Sequence, residues 1–281
     1  MAPWLETAAV TTLAVLATVV GLGLSRLRSP WWLVGYFVPL VLLLLVTLAR
    51  NIDALRFAPV FSTISAGRNE FTLLAIAVPM LLTLLIGRLG RLQAKVLMAG
   101  LVVICMVQLI VYPFLVPALI RDTLCHLPNN ISPDGVCMQS TDYTCGPAAA
   151  VTALAQLGVD ASEGQIAIDA RSAPQMGTPD DMLAAAVEKR YGNRGIRCEY
   201  RHFDSVEQLK PVCPTIAVVK FAFLTDHYVT VLDVNDGTIT VADPLEGRRT
   251  LTHADFKRKW RSVGIVIEGT STIGTVVETA Q

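Results

Sequence analysis

Cys145 opens a run of small residues, CGPAAAVTALAQLG, and Gln139 stands six residues before it. A cysteine at a helix N-terminus meets unpaired N–H groups and the positive end of the helix macrodipole, which favour thiolate over thiol. A thiolate beside a base is an acyl-transfer nucleophile. His227, in LTDHYVTVLDV, is the candidate base, and Asp243, in VADPLEG, is the acid that would orient it. Nucleophile, base and orienting group form the general arrangement of an activated nucleophile. Acyl transfer also needs donors aimed at the developing oxyanion, and the Gln139 amide with the Cys145 backbone N–H would supply two. Alone, each residue says little. A cysteine at a helix start is more often a small buried hydrophobe, and a lone glutamine more often a surface residue.

These residues need elements to carry them. Pro147 sits in the first turn of the Cys145–Leu157 segment, where a missing N–H costs nothing, and Gly158 stops it. Ser162 with Gln165 forms a capping box for a second helix, and Thr178, Pro179 and Asp181 open a third through DDMLAAAVEKRYG. The period then changes to β-branched alternation in GIRCEYRHF, TIAVVKF, HYVTVLDV and TITVAD, which reads as strands. A three-residue hairpin loop at Asn235–Gly237, with Gly237 left-handed, would set Asp243 opposite Val229, on the face of His227. A two-residue loop would turn it to the other face. Thr252 caps a short helix through ADFKRKW, and VGIVIEG closes as a strand. Helices first and antiparallel strands after describe an α+β domain.

QSTDYTCGPAAAVTAL, DHYVTVLDV and VADPLEG followed by FKRKW resemble the C39 peptidases, papain-like bacterial enzymes that trim leader peptides after a double glycine. The resemblance covers about Cys137 to Gly269. It implies a catalytic cysteine at Cys145, the histidine at His227, the orienting acid at Asp243 and the oxyanion glutamine at Gln139. Thr144 departs from the family, which usually carries an acidic or similar residue before the cysteine. The chain also has no G-x-x-x-x-G-K-[ST] phosphate loop, so no ATP chemistry and no coupling of leader removal to export is implied.

Of the 281 residues 53% are hydrophobic and only 16% charged, with the charges concentrated in the second half. Four apolar runs, Leu5–Leu24, Trp31–Ala49, Phe71–Leu89 and Val96–Ile120, account for the bias. At about 1.5 Å rise per residue, some 20 helical residues cross a hydrocarbon core of about 30 Å. The first run lacks a basic start and a small-x-small cleavage site, and reads as a retained helix. No ionisable residue lies deep within a run, so the segment reads as an anchor and not a pump. The expected architecture is a multi-pass membrane domain of four α-helices followed by an α+β papain-like cysteine peptidase domain. Its parts would be a transmembrane domain at 1–120, a linker at 121–136, the peptidase at 137–269 and a tail at 270–281.

Lys plus Arg and Asp plus Glu both total 23, so no net field draws the chain to nucleic acid. The expected partners are a peptide or protein substrate and the lipid bilayer, with room for a membrane partner protein. No cofactor is expected. A zinc site from Cys125, His126 and Cys137 has poor spacing and no fourth ligand. His202 and His253 read as turn or surface residues. Cys125 with Cys137, and Cys198 with Cys213, suggest two disulfides, which would persist only in an oxidising compartment. The short loops at 25–30 and 87–95 carry Arg26, Arg28, Arg88, Arg91 and Lys95 and no acid. The positive-inside rule puts those loops in the cytoplasm and the C-terminal domain on the outer side of a bacterial inner membrane. The reading is a membrane-anchored cysteine endopeptidase. Its rival is a peptide-binding module of the same fold that does not cut, or an accessory domain of a membrane export system.

Overall fold

A computed structural model describes residues 3–28, 31–52, 55, 57–174, 176–222 and 225–269. The expected tail at 270–281 lies outside them, as do Asp53 and Arg56 of the loop after the second apolar run. The chain forms two compact units, Met1–Thr123 with Arg171–Pro179, and Leu124–Ala170 with Asp180–Gln281.

The first unit is helical: α1 (Pro3–Ser25), α2 (Trp31–Val34), α3 (Phe37–Asn51), α4 (Pro59–Ser65), α5 (Asn69–Ile86), α6 (Leu92–Met106) and α7 (Val116–Leu119). Four stretches among the described residues, Trp4–Ser25, Trp31–Asn51, Asn69–Ile86 and Leu92–Leu119, are long and apolar enough to cross a membrane. Large apolar side chains such as Trp4, Val19, Phe37, Leu97 and Ile104 face outward, the reverse of a water-soluble bundle. Gly21 lets α1 approach α5 closely, because a Cβ there would sit 2.8 Å from the Met80 carbonyl oxygen. Val107–Leu115, between α6 and α7, is π-helical around Pro113. Proline has no N–H to give the helix ladder, and wider turns arise at such points.

Charge in this unit stays at helix ends. Arg68, just before α5 and 5% exposed, donates to Glu6 Oε2 at 2.5 Å and to the Pro113 carbonyl at 2.6 Å. Its guanidinium also lies 4.7 Å from the centre of the Phe114 ring. Arg171 Nη1 reaches the same Glu6 oxygen. A buried guanidinium is tolerable only with such partners.

The chain continues through α8 (Arg121–Cys125) into a two-stranded ribbon, β1 (Asn130–Ile131) with β2 (Cys137–Met138). Three helices follow: α9 (Cys145–Gln156), α10 (Glu163–Asp169) and α11 (Asp180–Tyr191). The remainder is a six-stranded antiparallel sheet plus α12 (His253–Lys259). Its strands are β3 (Ile196–His202), β4 (Thr215–Ala222), β5 (Thr225–Asn235), β6 (Thr238–Asp243), β7 (Gly247–Thr252) and β8 (Trp260–Gly269), in the order β3-β8-β4-β5-β6-β7. On β4, Ile216 and Val218 join the core beneath α9 and α11, while Ala217 and Val219 join the core beneath α12. Burial on both faces explains the unbroken apolar run of TIAVVKF. Ser162 caps α10 and Thr252 caps α12 through their hydroxyls, as the sequence predicts. The α+β architecture is the expected one. The strand β7 is an addition, an edge strand of sequence GRRTLT.

The hairpin reaches the expected pairing by another route. Its turn is the tight two-residue form, with Asn235 opposite Thr238 and Gly237 at φ 89°. A bulge between Val231 and Asp233 then shifts the register, so that Thr230 faces Ala242. One extra residue reverses the side-chain parity of a strand. Asp243 is thereby brought to the face of His227 despite the short turn.

The disulfide expectation fails. None of the six cysteines, all among the described residues, forms a disulfide. Cys198 on β3 pairs across to Ile267 on β8, and β8 separates β3 from β4, so Cys198 and the Cys213 that precedes β4 are not on neighbouring strands. They also pack on opposite faces of the sheet. Two strand spacings, roughly 9–10 Å, exceed the span a disulfide bridges. Cys137 is buried in the core, and Cys125 is exposed with its Sγ 3.2 Å from His126 Nδ1. The cysteines therefore give no support to an oxidising compartment.

Candidate active site

The nucleophile candidate begins α9. Small residues from Cys145 to Leu154 are buried throughout, which lets the helix lie close on the sheet. Thr230 on β5 fixes it there by donating to the Ala149 carbonyl at 2.8 Å. Ahead of the helix, the Thr141 N–H donates to Thr144 Oγ1 at 3.1 Å and the two hydroxyls lie 3.0 Å apart. Thr144, the residue that departs from the family pattern, is fully buried and tightens the turn before the cysteine.

His227 opens the buried part of β5 and is itself 5% exposed. Its Nε2–H donates to Asp243 Oδ1 at 2.8 Å, and its ring is also hydrogen-bonded to the Cys145 side chain. With Nε2 given to Asp243, Nδ1 is the nitrogen left for the thiol. Burial works against the imidazolium, but the bonds to Asp243 and Cys145 outweigh it and hold His227 up at about 9. For Asp243 burial pushes the carboxyl up, and the His227 bond with the Leu245 N–H, 2.8 Å away, more than offsets it. Asp243 is held below its ordinary value. Burial pushes three other thiols up, Cys137 and Cys198 to about 12 and Cys213 to about 11, which keeps them protonated at neutral pH.

Gln139 follows β2, and its N–H donates to the Pro244 carbonyl at 3.0 Å, which ties it to the residue after Asp243. Its Nε2 donates to the Thr141 carbonyl at 2.7 Å. An amide nitrogen carries two hydrogens, so one donor remains. Gln139 Oε1 is buried and has no hydrogen-bond partner among the described residues.

Two neighbours of the site carry no motif in the sequence. Glu163, the first residue of α10, is fully buried. Its Oε1 accepts from the Ser140 N–H at 2.9 Å and its Oε2 from the Ser140 hydroxyl at 2.7 Å, which fixes the chain beside Gln139. In sequence it reads only as an acid in a first helical turn. Asp180, at the start of α11, accepts from Tyr200 and from Tyr228, the residue after His227. Cys125, His126 and Cys137, whose spacing already argues against zinc, divide between surface and core, with Cys137 buried and Cys125 exposed.

An oxyanion role for Gln139 makes a definite forecast. Gln139→Ala should lower kcat by roughly 10²–10³, the usual cost of one oxyanion donor, with KM little changed. A loss appearing wholly in KM would make Gln139 a substrate contact instead.

Residues 135–272 match the family model for the peptidase C39 family. An uncharacterized protein of Methanothermobacter marburgensis is 35% identical over 130 residues, 46% of this chain and 85% of the relative. One from Methanothermobacter thermautotrophicus is 29% identical over 142 residues, 50% of this chain and 94% of its own. Among solved structures, a double glycine motif protease from an AMS/PCAT transporter, in complex with its leader peptide, matches with TM-score 0.42 and 20% identity, over 48% of this chain and 91% of that one. The peptidase domain of Streptococcus ComA, a bi-functional ABC transporter of a quorum sensing pathway, matches with TM-score 0.43 and 18% identity, over 48% and 97%.

Proposed function

The chain belongs to the peptidase C39 family through residues 135–272, and we propose that it is a membrane-anchored cysteine peptidase acting on a peptide or protein. The observation that carries this reading is His227, hydrogen-bonded at once to Asp243 and to Cys145. In the proposed reaction the Cys145 sulfur attacks the scissile carbonyl carbon. The oxyanion is met by the Gln139 amide and by the Cys145 N–H, which opens α9 where helix N–H groups lack intrahelical acceptors. His227 gives its Nδ1 proton to the leaving amine, the C–N bond breaks, and a thioester remains on Cys145. Water then attacks the thioester with His227 as base, the acid product leaves and the thiol is restored. Asp243 holds the imidazole in the tautomer that this needs. Cleavage after a Gly-Gly-type leader is the substrate pattern that family membership suggests.

The test is capture. Cys145→Ala protein, extracted in detergent, should retain peptides or proteins that wild-type protein releases as two fragments. N-terminal mapping of those fragments gives the cleaved bond. If both proteins retain the same intact peptides, the domain binds without cutting.

We infer further that the four apolar helices span a cell membrane and that the second unit lies outside the cytoplasm. The support is the density of basic residues in the loops at 25–30 and 87–95. A reporter active only outside the cytoplasm, fused after Gln281, should give signal. A silent fusion, with a cytoplasmic reporter active at the same point, would invert the topology.

A further inference from the structure

The strand that carries His227 faces a second irregularity. Between Lys220 and Ala222 the β4–β5 register slips by one, and Phe221 is the extra residue. A bulge re-aims a side chain, and bulges gather beside active sites. Here the re-aimed ring lies 5.6 Å, centre to centre, from the His227 imidazole at an interplanar angle of 43°. It does not bury itself there, since Phe221 remains 64% exposed. Leu245, 44% exposed, has its N–H on the same Asp243 oxygen that His227 uses. Among the described residues from 124 to 269, only Ile131, Phe221 and Leu245 are exposed large apolar side chains. Of the three, Phe221 lies against the histidine of the proposed catalytic set, and Leu245 is bonded through its N–H to that histidine's Asp243 partner.

Chemistry decides which part of a substrate would meet them. The leaving nitrogen must come within roughly 3 Å of His227 Nδ1 to take its proton. The side chain of the residue that owns this nitrogen starts two bonds further on, so it falls beside the imidazole and against whatever lines it. We propose that Phe221, with Leu245, forms the subsite for the residue immediately after the scissile bond, and that this subsite selects a large apolar side chain. The proposal rests on the peptidase reading. Phe221 is a specificity-determining residue on this view, and its exposed face is the face the substrate covers.

The experiment is a digest of a peptide library, randomised on both sides of a Gly-Gly pair, by the full chain in detergent, with cleavage products sequenced by mass spectrometry. Wild-type protein should favour Leu, Met or Phe over Ser or Asp directly after the cut by roughly 10-fold or more, the discrimination an apolar pocket achieves. Phe221→Ala should flatten that preference while cleavage continues, and Phe221→Trp should keep it. A flat wild-type profile would overturn the proposal. So would a Phe221→Ala profile that falls equally for every residue, which would make the ring a shield for His227. If no peptide is cut in a Cys145-dependent way, the peptidase reading itself fails and the subsite falls with it.

Discussion

Cys145→Ala should lower hydrolysis by roughly 10⁶-fold and leave the fold unchanged. Losses of that size follow when the nucleophile of a covalent mechanism is removed, because the whole covalent route closes and only binding and oxyanion stabilisation remain. The structural cost is small. Cys145 is a first-turn residue whose neighbours Ala148, Ala149 and Ala150 are already small, and the substitution deletes one sulfur atom from their packing. Thermal melts of the variant should overlay those of wild type, and its detergent extract should still bind substrate. Thiol labelling provides an independent check. An alkylating inhibitor should reach Cys145 well before Cys137, Cys198 or Cys213, whose thiols burial pushes up to about 11 or 12. Wild-type turnover by Cys145→Ala, or equal labelling of Cys198, would remove the basis of the peptidase assignment.

The elements that position Cys145 were legible because their signals are local. Pro147 and Gly158 bracket α9, and Ser162 with Gln165 and Thr252 with Asp255 meet within one turn, as their hydrogen bonds show. Long-range pairing was not. The last strand, β8, enters between β3 and β4; the unbroken apolar run of VGIVIEG marks burial on both faces but does not say which strands lie on either side. The Cys198–Cys213 expectation failed on that placement and on the opposite faces the two side chains take, and Cys125–Cys137 on the exposure of one and burial of the other. The strand β7 escaped because an edge strand needs no apolar alternation, and GRRTLT uses its arginines against solvent. Bulges are the other gap. Leu232 and Phe221 each supply one extra residue, and each redirects a side chain of the candidate site, yet neither carries a residue type that marks it. In the same way Glu163 looks like an ordinary helix-start acid, and only its burial shows that it holds Ser140.

Asp243→Ala should lower kcat by roughly 10³–10⁴, less than loss of Cys145, because an orienting acid acts through the histidine and not on the substrate. Two bonds disappear at once, since Asp243 Oδ1 accepts from both His227 Nε2 and the Leu245 N–H. Asp243→Asn should be milder, as an amide oxygen can still accept from Nε2–H while the negative charge is lost. A second measurement separates orientation from general damage. His227 is held up at about 9 in the folded protein, against an ordinary value of about 6.5. A raised folded value means the folded state binds the proton more tightly than the unfolded chain does. The stability gained from this is complete below about pH 6.5 and is lost as the pH rises through about 9. The melting temperatures of wild type and Asp243→Ala should therefore differ most at pH 6 and draw together toward pH 9.5. A gap that stays constant across that range would mean Asp243 only braces the loop at Leu245, and its role in holding the imidazolium would be wrong.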